Sequence, residues 1–250
     1  MHISNLKIYK NPYTINDDGF ISFKDRKSYE RYLSKYLKDP IGRGAQGTAY
    51  LTTDEGIIYK KLDLTYDAMY SFKCYSEARH IITTKDYDLD SFAFPIDLYS
   101  ISNSQYLGYT AKYFKDDKLK NNYSESDFIN FINLRDAYHR FMKNVDVLSE
   151  DEIFLCDLVQ NLLYDEEQFM AIDTTDYGLK EDVFLLYQTG EDYFKANRIK
   201  VLAAIGYEIS TYTGDSDYEK CKSIDDIISC IKSKNNGSMI VHKKGAKVNK

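Results

Sequence analysis

The alternation of apolar and polar positions divides the chain near residue 116. Before that point strand-length runs dominate. Thr48-Ala-Tyr-Leu-Thr52 and Ile57-Ile-Tyr-Lys-Lys-Leu62, separated by a turn at Asp54-Glu-Gly56, predict a hairpin. Past Pro95, the stretches Ile96 to Ile101 and Tyr106 to Phe114 predict two more strands. Helical spacing recurs at Tyr29, Tyr32, Leu33, Tyr36 and Leu37, ended by Pro40, and again over residues 66 to 84 through Met69, Phe72, Ala78 and Ile81. After residue 116 the pattern is mainly helical. Ser124-Glu-Ser-Asp127 sets a hydroxyl and a carboxylate at capping spacing, and Phe128, Phe131, Ile132, Leu134, Tyr138, Phe141 and Met142 continue a predicted helix to about Asn144. Leu162-Leu-Tyr164 and Phe169-Met-Ala-Ile172 flank a turn at Asp165-Glu-Glu-Gln168 and predict a small hairpin. Further helices are expected near 191 to 210 and 223 to 233.

This order predicts an α+β protein, with a small β-rich lobe carrying one long helix and then a mostly helical lobe. Residues 1–37 read as an N-terminal extension, 38–115 as the first lobe, 116–235 as the second and 236–250 as a basic tail. A length of 250 residues suffices for two lobes around a cleft, and 43% hydrophobic residues with 24 Tyr and 13 Phe supply an aromatic core. The tyrosines read as core filling rather than as a platform for stacking bases.

A net charge of −6 gives no footprint for broad nucleic-acid binding. The basic run from His242 to Lys250 reads as a solvated, frayed end rather than a contact with membrane or polyanion. The segment Met1-His-Ile-Ser-Asn-Leu-Lys7 lacks the apolar core of a signal peptide, and no apolar run approaches a membrane span. The expectation is a soluble cytoplasmic protein with neither nucleic-acid nor membrane partners. Cys74, Cys156, Cys221 and Cys230 form no C-x-x-C and read as reduced structural residues. His2, His80, His139 and His242 are scattered and outline neither a triad nor a metal site.

Candidate chemistry starts at Ile41-Gly-Arg-Gly-Ala-Gln-Gly-Thr-Ala49, where Gly42, Gly44 and Gly47 spell G-x-G-x-x-G between strand-like segments. Glycine lets backbone approach a phosphate where a Cβ would obstruct it, although the same spacing also makes ordinary turns. A dinucleotide-binding fingerprint is excluded, because no helix opens at Gly47. Lys60 follows on the next apolar strand and offers a compact positive charge. Lys61 is its rival, but alternation sends the two to opposite faces, and Lys60 shares its face with Ile58. Glu77 lies in the predicted helix beyond. Asp157 and Asn161 precede the small hairpin, and Asp173 follows its second strand. Singly, each has a bland reading: Glu77 as a surface carboxylate, Asp157 and Asn161 as turn formers. The ordered set is far less expected by chance.

That set resembles the protein-kinase-like superfamily, over most of residues 38 to 210 and loosely after Asp173, in a compact, divergent form of bacterial or phage style. The resemblance implies that Gly42, Gly44, Gly47 and Lys60 bind the phosphates of ATP and that Glu77 pairs with Lys60. It further implies that Asn161 and Asp173 bind Mg²⁺ and that Asp157 orients the acceptor hydroxyl and takes its proton. Leu107-Gly-Tyr-Thr-Ala-Lys-Tyr-Phe114 would join the lobes and offer backbone groups to adenine. The implied function is transfer of the γ-phosphate to a protein hydroxyl. A pseudokinase acting as a binding module and a small-molecule kinase are the alternatives. The departures are specific. Asn161 stands four residues after Asp157 where the family's H-R-D-x-x-x-x-N places it five after, and Leu155 and Cys156 replace the His and Arg. Val159 stands where protein kinases carry a phosphate-steadying lysine. Asp-Phe-Gly becomes Asp173-Thr-Thr175, and no Ala-Pro-Glu follows, so a full activation segment is absent. If the loop cannot absorb its missing residue, Cys156 takes the place expected of Asp157.

Overall fold

The computed structural model describes residues 13–15, 20–44, 46–63, 89–101, 105–115, 127–177 and 183–245. The chain is α+β and divides into two units, residues 1–73 with 95–113 and residues 74–94 with 114–250. The helix expected over 66–84, and Glu77 within it, lie outside the described residues.

The first unit holds β1 (Tyr13–Ile15), β2 (Ile21–Phe23), α1 (Arg26–Tyr36), β3 (Leu37–Arg43), β4 (Gly47–Thr52), β5 (Ile57–Leu62), β6 (Pro95–Ile101) and β7 (Gln105–Lys112). They form one mixed seven-stranded sheet in the order β1-β2-β6-β7-β5-β4-β3, in which only β2 and β6 run parallel. Asp25 starts α1 by accepting a 2.8 Å bond from the Ser28 amide, which holds its carboxyl below the ordinary range. The helix then turns Tyr29 and Leu33 onto Phe23, Tyr59, Tyr99 and Leu107. The Tyr29 and Tyr59 hydroxyls bond each other at 2.8 Å inside this core, and burial pushes both phenols up. Tyrosine fills space here while its polar end stays satisfied.

β7 falls where the sequence predicts a strand over Tyr106 to Phe114. It is an interior strand, paired with β5 along one edge and β6 along the other, and the Tyr113 amide donates to Gly56 O at 2.8 Å. Gly108 to Lys112 are all paired with β5, and the boundary between units falls after Tyr113.

The second unit comprises β8 (Phe128–Asn130), α2 (Leu134–Glu150), β9 (Leu162–Tyr164), β10 (Phe169–Ala171), α3 (Val183–Gln188), α4 (Tyr193–Thr213), α5 (Ile224–Lys234) and β11 (Ile240–His242), with 3-10 turns at Thr174–Asp176 and Ser216–Lys220. The helix expected from Phe128 onward begins instead at Leu134. Phe128–Asn130 is extended because it pairs antiparallel with β11, and Phe131 adds a 2.8 Å bond from its amide to Met239 O. A distant strand partner here overrides local helical periodicity. The same pairing anchors the start of the basic run, where the Lys243 amide donates to Asp127 O at 2.9 Å and the Lys244 amide to Tyr212 O at 2.9 Å.

α4 is buried on most of its circumference, through Ala196, Asn197, Val201, Ala204, Ile205, Glu208 and Tyr212 among others. Asp192 caps its start and Gly214, at φ 74°, ends it. Gly206 admits the second 3-10 turn, since a Cβ there would lie 2.7 Å from Tyr218 O. Around α4 the core collects Phe131, Phe141, Tyr164 and Phe169, with the Phe131 and Tyr164 rings stacked at 5.4 Å. No described helix is long and apolar enough to cross a membrane.

At the outer end of this unit Lys234 bridges Asp215 at 2.6 Å and Asp217 at 2.7 Å, and Lys220 adds a 2.7 Å bond to Asp217. The bonds to Lys220 and Lys234 hold the Asp217 carboxyl at about 2 against an ordinary 3.8. A depressed carboxylate stabilises the fold fully above its unfolded value, and that contribution is lost as the pH falls through the folded one. Asp217→Asn is expected to flatten the acid limb of stability over this interval, measured by denaturant midpoints along a pH series at low salt.

Candidate functional site

The three glycines sit in the β3–β4 hairpin. Gly42 pairs with Ala49, and the Gly44 amide donates to Gly47 O at 2.9 Å, with Gln46 between them near the tip. The glycines have different reasons. A Cβ on Gly47 would stand 2.1 Å from Lys61 O and 2.9 Å from Leu62 Cα, so Gly47 is required by the neighbouring strand. A Cβ on Gly44 would meet nothing within 4 Å among the described residues, and Gly44 has no left-handed φ. Nothing among the described residues demands glycine at that position.

Lys60 lies on β5 opposite Ala49 on one side and Tyr109 on the other. Its Nζ donates to Gln46 Oε1 at 3.3 Å, which draws the ammonium to the hairpin tip, and lies 5.9 Å from the Tyr109 ring centre. Tyr59, next in sequence, is fully buried in the α1 core, so alternation separates the Lys60 face from the face packed by α1. The pairing of Lys60 with Glu77 falls outside the described residues.

In the second unit the segment from Ile153 to Asn161 is irregular but fixed. Ile153, Phe154, Leu155, Cys156 and Leu158 are buried, whereas Asp157 is exposed. Cys156 packs with Phe154 and Ala196, so the thiol points into the core and the carboxylate outward. Asp157 at φ 51° and Gln160 at φ 72° adopt left-handed backbone, which closes the short loop in few residues. The Asn161 side-chain amide then bonds back to Asp157 O at 2.7 Å and to Asp157 Oδ2 at 3.3 Å. Asn161 immediately precedes β9. The Ile172 amide donates to Asn161 O at 2.8 Å, so the hairpin brings Asp173 beside Asn161. Asp173 too is left-handed, at φ 56°. Non-glycine residues held at positive φ cluster at functional sites, where surrounding structure sustains the cost.

What holds this segment is a residue that the sequence pattern does not single out. Asn197, wholly buried on α4, accepts from the Leu155 amide at 2.9 Å and donates to Ile153 O at 2.8 Å and Ser149 Oγ at 2.9 Å. An amide amid Ala196, Val201 and Leu202 was its sole sequence signal. On the other flank the Ala171 amide donates to Ser91 O at 2.8 Å, the Ala93 amide to Ala171 O at 2.9 Å and Thr174 Oγ1 to Ala93 O at 3.3 Å. These bonds fix the strand end that carries Asp173. Beneath it Tyr177 is buried with its hydroxyl unbonded among the described residues. Burial, then the Cys156 thiol and the Asp173 and Asp157 carboxylates, push that phenol well up. It keeps its hydrogen and can donate it.

Asp157, Asn161 and Asp173 offer carboxylate and amide oxygens, the hard donors that suit Mg²⁺ and leave its remaining positions to water or phosphate. Among the described residues no three His, Cys, Asp or Glu side chains converge, so a soft, all-protein metal cage is not what this set supplies. A shallow hollow lined by Asn130, Asn133, Asp165 and Glu166 lies at the opposite, turn end of the β9–β10 hairpin. Its polar groups already bond one another, as in Asn130 N to Glu166 Oε1 at 2.9 Å. His139 is exposed on α2 against the Tyr138 ring. No family model matches the chain, and no curated protein does.

Asn197→Ala is expected to cost about 3 kcal/mol by leaving the Leu155 amide and Ile153 carbonyl buried and unpaired. The measurement is the denaturant midpoint together with hydrogen exchange at the Leu155 amide, which should quicken more than exchange across the core of α4.

Proposed function

We propose that the chain is an ATP-dependent phosphotransferase of protein-kinase-like type, moving the γ-phosphate of Mg-ATP to a hydroxyl acceptor, in the first instance on a protein. The carrying observation is the Asp157–Asn161–Asp173 set. Asn161 bonds Asp157, and the β9–β10 hairpin sets Asp173 next to Asn161, with Asp157 and Asp173 in left-handed backbone and oxygens suited to a hard divalent cation. Phosphoryl transfer needs little covalent chemistry from the protein and relies on positioning and charge neutralisation. In this reading Asn161 and Asp173 hold the metal, and exposed Asp157 orients the acceptor hydroxyl and receives its proton. Lys60, drawn under the glycine hairpin by Gln46, meets the phosphates, and Gly42 and Gly44 let the main chain approach them. Gly47 contributes by keeping the hairpin flush with β5.

One observation favours a second reading, a module that binds nucleotide without transferring phosphate. Val159, at the position of the phosphate-steadying lysine, is packed against the core of the second unit and offers no charge.

Mg-ATP is expected to raise the melting temperature of the wild type with concentration, with the shift lost in Lys60→Ala and Asp173→Ala. No shift at millimolar nucleotide would end both readings. Asp157→Ala is expected to retain the shift and lower label transfer from γ-labelled ATP by about 10²-fold or more. Binding without transfer in the wild type would select the module. Label on a metabolite, with protein left unlabelled, would select a small-molecule kinase.

A further inference from the structure

Gln46 stands one residue before Gly47 in the glycine hairpin and is half-buried. Its main chain is held from both sides. The Gly44 amide donates to Gly47 O at 2.9 Å, and the Asp63 amide donates to Gln46 O at 2.9 Å, which ties the tip to the end of β5. Arg43, at the entry to the hairpin, is turned to the same Asp63, donating to its Oδ2 at 3.3 Å. The Gln46 side chain therefore projects from a fixed base. Its Oε1 accepts from Lys60 Nζ at 3.3 Å. An ammonium only donates, so it selects the oxygen end of the amide and turns the nitrogen end away. The two donors on Gln46 Nε2 have no partner among the described residues. Ala49 faces Lys60 across the β4–β5 ladder, and its methyl leaves the ammonium room to reach the tip. At Gly44 a Cβ would meet nothing within 4 Å, so open space borders the hairpin there. An amide whose oxygen contacts a cation is polarised, and its N–H groups become stronger donors. The pair thus extends the positive potential of Lys60 out to the tip without burying a second charge.

We propose that Gln46 is a direct ligand of the nucleotide phosphates, donating from Nε2 to one phosphate oxygen while Lys60 meets its neighbour. The assignment rests on the phosphotransferase reading above and adds to it a residue outside the glycines and the lysine. Lys60 keeps its bond to Gln46 in the complex, because the amide takes only one of the three ammonium donors. The two side chains act as one cradle, with the charge supplied from β5 and the added donors from the tip. The ligand class is a polyphosphate. A nucleoside triphosphate offers adjacent anionic oxygens to both groups, whereas a nucleoside offers none.

The test titrates the full chain with Mg-ATP and with adenosine by calorimetry, as wild type, Gln46→Met and Gln46→Glu. Gln46→Met keeps the length and removes every polar atom. It is expected to weaken Mg-ATP about tenfold, the scale of one hydrogen bond to a charged group. Gln46→Glu keeps an oxygen for Lys60 but sets a carboxylate against the phosphates, and should weaken Mg-ATP at least as much. The heat of adenosine binding should be the same in all three proteins. Both substitutions leave the main-chain bonds of the tip in place, and the ligand-free melting temperature is the control for folding. Unchanged Mg-ATP affinity in Gln46→Met, with the wild type binding, would overturn the assignment and leave the phosphotransferase reading standing. Weakening in Gln46→Met but not in Gln46→Glu would also overturn it, since Gln46 would then only hold Lys60. Absence of Mg-ATP binding by the wild type would end both.

Discussion

One buried side-chain amide organises the candidate site. Asn197 is buried on α4 and satisfies three polar groups of the neighbouring chain: the Leu155 amide, the Ile153 carbonyl and the Ser149 hydroxyl. An irregular segment cannot normally run through a core, because its main-chain groups would go unpaired. Asn197 removes that cost. It lets Ile153, Leu155 and Leu158 point inward from a loop while Asp157 is turned outward. The left-handed residues follow from the same arrangement, since a short loop anchored at one end by α4 and at the other by β9 must reverse within a few residues.

The glycine hairpin and Lys60 rest on a different device. The sheet of the first unit packs tyrosines on the face covered by α1, which leaves alternate positions of β5 for the other face. Lys60 is among them, and Gln46 gives its ammonium a partner at the hairpin tip. Gly47 and Gly44 look alike in the sequence but answer to different demands, one to the crowding of β5 and the other to nothing within the described chain. Only coordinates separate a glycine that the fold needs from one that it can spare.

What could be read from the sequence divides along the same line. The β4–β5 hairpin, α1, the β9–β10 hairpin, α4 and α5 were legible, because each carries its own periodicity and its own cap or turn. Asp157, Asn161 and Asp173 read as an ordered set in the sequence; in the fold Asn161 bonds Asp157 and the β9–β10 hairpin sets Asp173 next to Asn161. The features that escaped depend on partners distant in sequence. Phe128 to Asn130 has helical spacing yet becomes a strand, because β11 supplies hydrogen bonds that local pattern cannot announce. Asn197 looks like a mild helix penalty until its partners are known.

The pairing of β8 with β11 bears on how the protein is made. The amide of Phe131 and the carbonyl of Asp127 flank the entry to α2, and their partners are Met239 and Lys243. During synthesis the ribosome delivers those partners only after α2, the Asp157 loop and α4 have all emerged. Closing so long a loop is slow compared with forming helices. The helices must therefore assemble around an unfinished edge, with the exposed β8 backbone open to any other strand that reaches it first. The small two-stranded sheet is the last stitch of the second unit, and the interval before it closes is when that unit is most open to mispairing.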